Sequence, residues 1–283
     1  WIQVGHWKNN VTLFKHALNV TENKHRGMHL MHALLGRAYH KKGELTLAIS
    51  EFKRSLELNP AYYPTYNNLA DALAEQENLE EALHFARKCV SMKPDYTPGV
   101  ITLGNILEEL GNLKEAQAYY KQALELDSNS YENYLNLANV LYRVGNLEDA
   151  AAHFRKAIAL NPGLVEAHYN LGNILGQQGH LEEAQKAFEQ AISLDGKRPL
   201  PHYGLGIIHR RTGQNLKAIT AFKQALSLNP KLKQAHYFLA KIYDEMGQGQ
   251  KAILHTRAAE KISGQRQSIL LVRFTNIVSV VPI

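Results

Sequence analysis

The chain has a single cysteine, Cys89, among its 283 residues, which excludes an internal disulfide. A lone thiol leaves the redox compartment open, because a reducing cytosol and a disulfide-free extracytoplasmic domain look alike by this measure. No run approaches the roughly 20 apolar residues that a membrane-spanning helix needs. The opening stretch, Trp1-Ile2-Gln3-Val4-Gly5-His6-Trp7, lacks the charged segment and apolar core of a signal peptide. Its first residue is not Met, so the chain is expected to begin inside something longer. There is no phosphate loop, no Gly-x-Ser-x-Gly and no Cys-x-x-Cys. The expectation is therefore a non-enzyme with no cofactor and no metal site.

What is present suits a packed protein. Hydrophobic residues make up 45% and charged residues 20%, with a mean hydropathy of -0.32; that is too apolar for a disordered chain. The net charge of +6 and pI of about 9.2 raise the question of nucleic acid. The basic residues, however, lie among acids, as in Lys114-Glu115 and in Glu182-Glu183 with Lys186. This is the pattern of a solvated surface, and no nucleic-acid partner is expected.

Aligned on itself, the sequence repeats every 34 residues. Gly36, Ala70, Gly104, Ala138, Gly172, Gly206 and Ala240 keep this step without a slip, and so do Leu35 to Leu239 and Ala48 to Ala252. Several columns in register over seven units indicate a repeat architecture. Each unit reads as two helices. The first carries an apolar residue three positions after its Gly/Ala: Tyr39, Leu73, Leu107, Leu141, Leu175 and Tyr243. A glycine usually follows (Gly43, Gly111, Gly145, Gly179, Gly213, Gly247), where a left-handed residue can end the helix. The second helix places an aromatic four residues after its Ala, at Phe52, Tyr120, Phe154, Phe188 and Phe222. A small residue comes three later, from Ser55 and Cys89 to Ala259. Asn59-Pro60, Asn161-Pro162 and Asn229-Pro230 close units, and each proline is expected in the first turn of the next helix. Small residues let helices approach while the aromatic fills the gap, so each hairpin leans on its neighbours.

These columns resemble the tetratricopeptide repeat family. The resemblance implies an all-α, right-handed superhelical solenoid of helix-turn-helix hairpins. Its seven units would span 29–62, 63–96, 97–130, 131–164, 165–198, 199–232 and 233–264. Ala86 and Thr256 stand where the aromatic is expected, and Ser128, Gly196 and Gly264 where the junction proline is; those units should be looser. Residues 1–28 read as the second helix of an incomplete leading repeat plus a linker. Trp7, Val11, Phe14 and Leu18 form its apolar stripe. Residues 265–283 read as a capping helix, with Leu270, Phe274, Ile277 and Val281 on one face, or as an extended or frayed tail.

The stretch from Gln3 to Thr21 is also similar to the junction where polytopic membrane proteins related to protein O-mannosyltransferases enter a C-terminal repeat domain. That resemblance implies an extracytoplasmic, periplasmic or lumenal, domain tethered to a membrane upstream, presenting acceptors to a glycosyltransferase. The alternatives are a cytoplasmic location and a soluble repeat regulator. Asn10-Val11-Thr12 and Asn19-Val20-Thr21 are glycosylation sequons in a secretory setting only.

In the family, ligands lie along a concave groove lined by first helices, so the primary expectation is a scaffold for a protein or peptide partner. The groove columns would hold Asn68, Asn136 and Asn170 at the sixth position of their units, and Asp71, Asn105, Asn139 and Asn173 at the ninth. An asparagine both donates and accepts, so a ladder of them could grip a peptide backbone; this is similar to the ladder in O-GlcNAc transferase repeats. The alternative reading is that asparagine merely solvates a polar helix face. Tyr169, Tyr203 and Tyr237 at the fifth position, with Arg210 and Arg211, would favour an acidic or aromatic ligand, unless the tyrosines pack between hairpins. A carboxylate clamp is not expected, because the fifth position holds Ile101, Leu135 and Tyr169 where such clamps carry lysine. His168, His202 and His236 recur at 34 residues. Neighbouring hairpins stand about 10 Å apart, too far for the roughly 2.1 Å bonds of a shared ion. His25, His29 and His32 read as surface residues able at most to bind a metal weakly.

Overall fold

The computed structural model describes residues 11–12, 14–15 and 27–267. Among them there are helices and no strands. The chain divides into two compact units, residues 1–160 and 161–283. The first contains α1 (Met28–His40), α2 (Leu45–Leu58), α3 (Tyr63–Glu75), α4 (Leu79–Met92), α5 (Thr97–Glu109), α6 (Leu113–Leu126), α7 (Tyr131–Arg143) and α8 (Leu147–Leu160). The second contains α9 (Val165–Gln178), α10 (Leu181–Leu194), α11 (Pro199–Arg211), α12 (Asn215–Leu228), α13 (Lys233–Glu245) and α14 (Gly249–Gln267). Each odd-numbered helix packs against the even-numbered one after it. Ahead of α1, Val11, Thr12, Phe14 and Lys15 are helical, and Val11 is buried. Trp7, Leu18, most of the Gln3–Thr21 junction, the asparagines of both sequons, His25 and residues 268–283 lie outside the described residues. No helix among the described residues is long and apolar enough to cross a membrane.

Every described hairpin turns the same way. The first helix ends on a residue with positive φ: Gly43, Gly111, Gly145, Gly179, Gly213 and Gly247, at 70° to 86°. The amide of the following residue reaches back five positions, as from Asn112 to the Leu107 carbonyl at 2.8 Å. This satisfies a carbonyl that the helix end would otherwise leave unpaired. The second hairpin makes the same turn with Glu77 at φ 63°, where a side chain is strained.

Closure of the hairpin depends on the absence of a side chain. A Cβ added to Gly36 would lie 2.6 Å from the Phe52 ring, at Gly104 2.7 Å from Tyr120, at Gly172 2.9 Å from Phe188 and at Gly206 2.6 Å from Phe222. In each case the aromatic of the second helix rests on the bare backbone of the first. Where the aromatic is missing, the partner is larger: Ala70 accompanies Ala86, and Ala240 accompanies Thr256. Ala70 and Ala86 are both buried, so the second hairpin closes despite its departure from the pattern. The last hairpin is more open, with Thr256 exposed. Ala138 with Phe154, both fully buried, is the exception to the pairing of glycine with aromatic.

Hairpins in the first compact unit meet across a second seam of small groups. The Ser55 hydroxyl donates to the His29 carbonyl at 2.7 Å and lies 3.3 Å from Thr65 Oγ1. A Cβ on Gly99 would come within 2.9 Å of Cys89 Sγ. Asn133 Nδ2 donates to the Ala123 carbonyl at 3.0 Å. Cys89 is fully buried, and burial pushes its thiol up to about 11, so it acts as a small core residue rather than a nucleophile.

Junction prolines do not enter the next helix, contrary to expectation. Pro60 stands in a turn, and α3 begins only at Tyr63. The turn is held by the residue before the proline: the Ala61 amide donates to Asn59 Oδ1 at 3.1 Å, and the same bond recurs at Asn161 and Asn229. Asp127 and Asp195 accept in the same way, so the junctions at Ser128 and Gly196 keep the turn without proline. The local side-chain acceptor recurs at five junctions, with or without the ring; at Lys93-Pro94 the ring stands without it. Prolines at helix starts are instead Pro64, Pro98 and Pro199. The last helix, α14, also runs through Gly264 to Gln267, because neither a junction proline nor an Asx acceptor stands there.

One histidine occupies a core column. His209 takes the place of the leucines at Leu141 and Leu175 and is buried, as His153 and His255 are in part. Burial pushes all three below the ordinary imidazole value, with Lys121, Lys217 and His236 respectively adding to it.

Three outcomes are expected. Gly206→Ala, which in an ordinary helix gains about 0.5–1 kcal/mol, should here lose about 1–3 kcal/mol by overpacking Phe222; a gain in the urea midpoint would contradict this account. Glu77→Gly should relieve the left-handed strain and raise stability by about 0.5–1 kcal/mol after the entropy of glycine is subtracted, readable as a higher thermal midpoint. The lowered histidines make the unfolded chain the better proton acceptor below the ordinary imidazole pKa of about 6.5. Stability should therefore be full above that pH and fall as pH drops below it. The fall should be shallower in His255→Asn, and equal slopes for the two proteins would count against it.

Candidate functional site

In the first compact unit, α1 touches α3 and α3 touches α5 directly, so the first helices form one continuous wall. Side chains there that the core does not claim form a polar face. Asn68 is half-buried and Asp71 exposed on α3; Asn105 is exposed on α5; Asn136 and Asn139 are half-buried on α7. These residues keep contact with solvent, but they are not equivalent. The buried Tyr120 points its hydroxyl at Asn105 Oδ1 (2.7 Å) and at Glu108 Oε2 (2.9 Å). Its phenol is pushed far up by burial and by Glu108, so it remains a proton donor. Arg143 Nη1 donates to Glu108 Oε1 at 2.7 Å. Asn105 therefore belongs to a network anchored in the core.

The second compact unit has its own polar face on α9, α11 and α13. Asn170 and Asn173 are half-buried on α9. The three tyrosines divide. The Tyr169 ring lies 6.0 Å from Phe188, and Tyr203 lies 5.8 Å from Phe222 and 6.2 Å from Phe238. Burial pushes the Tyr203 phenol up to about 12, so this residue is largely part of the packing. Tyr237 is 51% exposed, with Lys241 Nζ 5.1 Å from its ring centre; it is the tyrosine a ligand can meet.

Charges at the C-terminal ends of the first helices are mostly paired with one another, which the sequence reading did not foresee. Arg210 Nη2 donates to both oxygens of Glu245 at 2.5 and 2.7 Å, and its Nη1 contacts Asn215 Oδ1 at 3.3 Å. Arg211 donates to the Gly176 carbonyl. Apart from Arg210 with Asn215, these contacts, with Glu108–Arg143 and His40–Glu75 (3.0 Å), each join two residues 35 positions apart. The spacing is one repeat plus one residue, so the twelfth position of a unit meets the thirteenth of the next. Complementary residues at a 35-residue spacing were the available signal. Arg210 and Arg211 thus lie in a polar face, but both already serve internal partners.

The histidine column has a local role. His168 Nε2, His202 Nε2 and His236 Nε2 each lie 3.0 to 3.3 Å from the carbonyl six residues earlier, at Pro162, Gly196 and Pro230. Each ring donates into its own junction turn. His29 stands edge-on to Tyr62, and His32 Nδ1 lies 2.6 Å from Glu51 Oε2. The described residues do hold one cluster of metal-ligating groups: His40, Asp71 and Glu75, whose ligand atoms all lie within 4.8 Å of one another. Burial raises the Asp71 carboxyl above its usual range; Glu75 adds to the effect and His40 opposes it.

Comparisons with known proteins agree with this geometry. Models described as tetratricopeptide repeat or TPR repeat match residues 36–83, 100–161, 130–197, 169–231 and 203–266. No curated protein sequence matches the chain. Among solved structures, YrrB, described as a TPR protein with an unusual peptide-binding site, is 24% identical with a TM-score of 0.58, covering 65% of this chain and 95% of that one. MamA is 25% identical with a TM-score of 0.55, covering 59% and 97%. A tetratricopeptide repeat protein from Parabacteroides merdae is 19% identical with a TM-score of 0.64, covering 86% and 96%. With its repeat columns, hairpin packing and these matches in agreement, the chain belongs to the tetratricopeptide repeat family, a family of protein-interaction scaffolds.

Proposed function

We propose that the protein binds an extended peptide segment of a partner along the polar faces of its first helices, gripping chiefly the peptide backbone. The carrying observation is the placement of asparagine at the sixth and ninth positions of successive units. Asn68, Asn136 and Asn139 do this in the first compact unit, and Asn170 and Asn173 in the second, all half-buried rather than absorbed into the core. A primary amide offers two donors and an acceptor. It can therefore match both the N–H and the C=O of an extended chain with little regard to its side chains.

Asp71, Asn105, Arg210 and Arg211 border these faces, with their charge or amide already directed to neighbours. Tyr237, beside Lys241, supplies an exposed aromatic for an apolar or aromatic side chain of the ligand. Such a ligand would be chosen more by extended shape than by acidity, because Arg210 is bidentate with Glu245. The chemistry is recognition without bond making, in line with the family's role.

The test is a selection from a random displayed-peptide library, followed by affinity measurement on the winners. The double variant Asn68→Ala/Asn136→Ala, both on the polar face of the first compact unit, should bind them about 10- to 30-fold more weakly, at roughly 1 kcal/mol per lost amide. Its thermal midpoint should be unchanged, since neither side chain is in the core. Undiminished affinity would sink the backbone-grip reading.

A further inference from the structure

We propose that His40, Asp71 and Glu75 form a site for a divalent transition-metal ion on the polar face of the first compact unit. His40 ends α1, while Asp71 and Glu75 stand four residues apart on α3 and so share one helix face. Ligand atoms from all three lie within 4.8 Å of one another. His40 Nε2 lies 3.0 Å from Glu75 Oε1, yet it is buried and has no hydrogen-bond partner. Two ligands each about 2.1 Å from a tetrahedral ion stand roughly 3.4 Å apart, so a shift of a few tenths of an ångström would seat an ion between them. Asp71 and Glu75 place two carboxylates together beside the His40 nitrogen.

The sequence marks the same spot. The ninth position is asparagine in the units of Asn105, Asn139 and Asn173, but an acid at Asp71. That acid stands where the preceding unit offers His40 and its own helix offers Glu75. Other contacts at the 35-residue spacing use arginine with a carboxylate or a carbonyl and include no third ligand. One imidazole nitrogen with two carboxylate oxygens suits Zn2+ and its first-row neighbours better than Ca2+ or Mg2+, which prefer oxygen alone. Three protein ligands on an open face leave a coordination position for water. This inference does not depend on the peptide grip.

The experiment uses the full chain, stripped with EDTA and titrated with Zn2+ by calorimetry and with Co2+ by visible absorption. We expect about one ion per chain at micromolar dissociation constant, a ligand-field spectrum displaced by Zn2+, and a thermal midpoint raised by the ion. His40→Ala and Asp71→Asn should each weaken binding about tenfold or more, while their metal-free midpoints show that the fold is intact. His32→Ala should bind as the parent does. The inference is overturned if the parent binds no ion in this range. It is equally overturned if His40→Ala and Asp71→Asn bind as the parent does, leaving only the ion pair of His40 with Glu75, or if His32→Ala alone abolishes binding.

Discussion

The rest of the structure depends on the contact between the first helix's bare backbone and the ring on its partner. At Gly36, Gly104, Gly172 and Gly206 there is no room for a single carbon beneath Phe52, Tyr120, Phe188 and Phe222. Interiors pack to crystal-like density, so a missing methyl on one side and a ring on the other form one fitted unit. Ala70 with Ala86 shows the same volume divided differently. Once the hairpin closes, its outer faces are determined. One presents Ser55, Cys89 and Ala123 to the next hairpin's Thr65, Gly99 and Asn133. The other leaves the sixth, ninth, twelfth and thirteenth positions of the first helix at least partly to solvent, except where Gly204 and Gly176 are buried. The polar faces exist because the aromatic contact draws the opposite side of each helix inward.

Electrostatics then sorts those faces. Single exposed ion pairs contribute only about 0–1 kcal/mol, so the contacts at the 35-residue spacing matter less for stability than for availability. They commit Arg143, Arg210 and Arg211 to partners within the protein. On the second helices, Lys53–Glu81 and Arg87–Glu115, at 2.8 and 3.0 Å, do the same at a spacing of 28 residues. Four basic side chains, Lys53, Arg87, Arg143 and Arg210, are engaged in this way with acids of a neighbouring hairpin.

Hairpin number and type, the left-handed glycines and the placement of the asparagines on the first helices could all be read from the 34-residue columns. These features arise from contacts that recur in every unit, so each is written several times in the chain. The role of the junction proline was misjudged because the turn is held by the Asn or Asp before it, a bond visible only once the loop is folded. Tyr203 reads as a ligand contact by column and proves to pack against Phe222 and Phe238. At half-exposed positions burial depends on the neighbour's size, which differs from unit to unit.

The sequence by itself determined the architecture, because a period held over seven units leaves one way for small and aromatic residues to interlock. Only the tertiary structure decided which polar residues are spent on one another. His40 with Asp71 and Glu75, Glu108 with Arg143, and Arg210 with Glu245 stand 31 to 35 residues apart. Their meeting depends on angstrom-scale offsets between neighbouring first helices. The positions recur at a 35-residue spacing but their residue types change from unit to unit, so the core repeats while the chemistry of its surface does not.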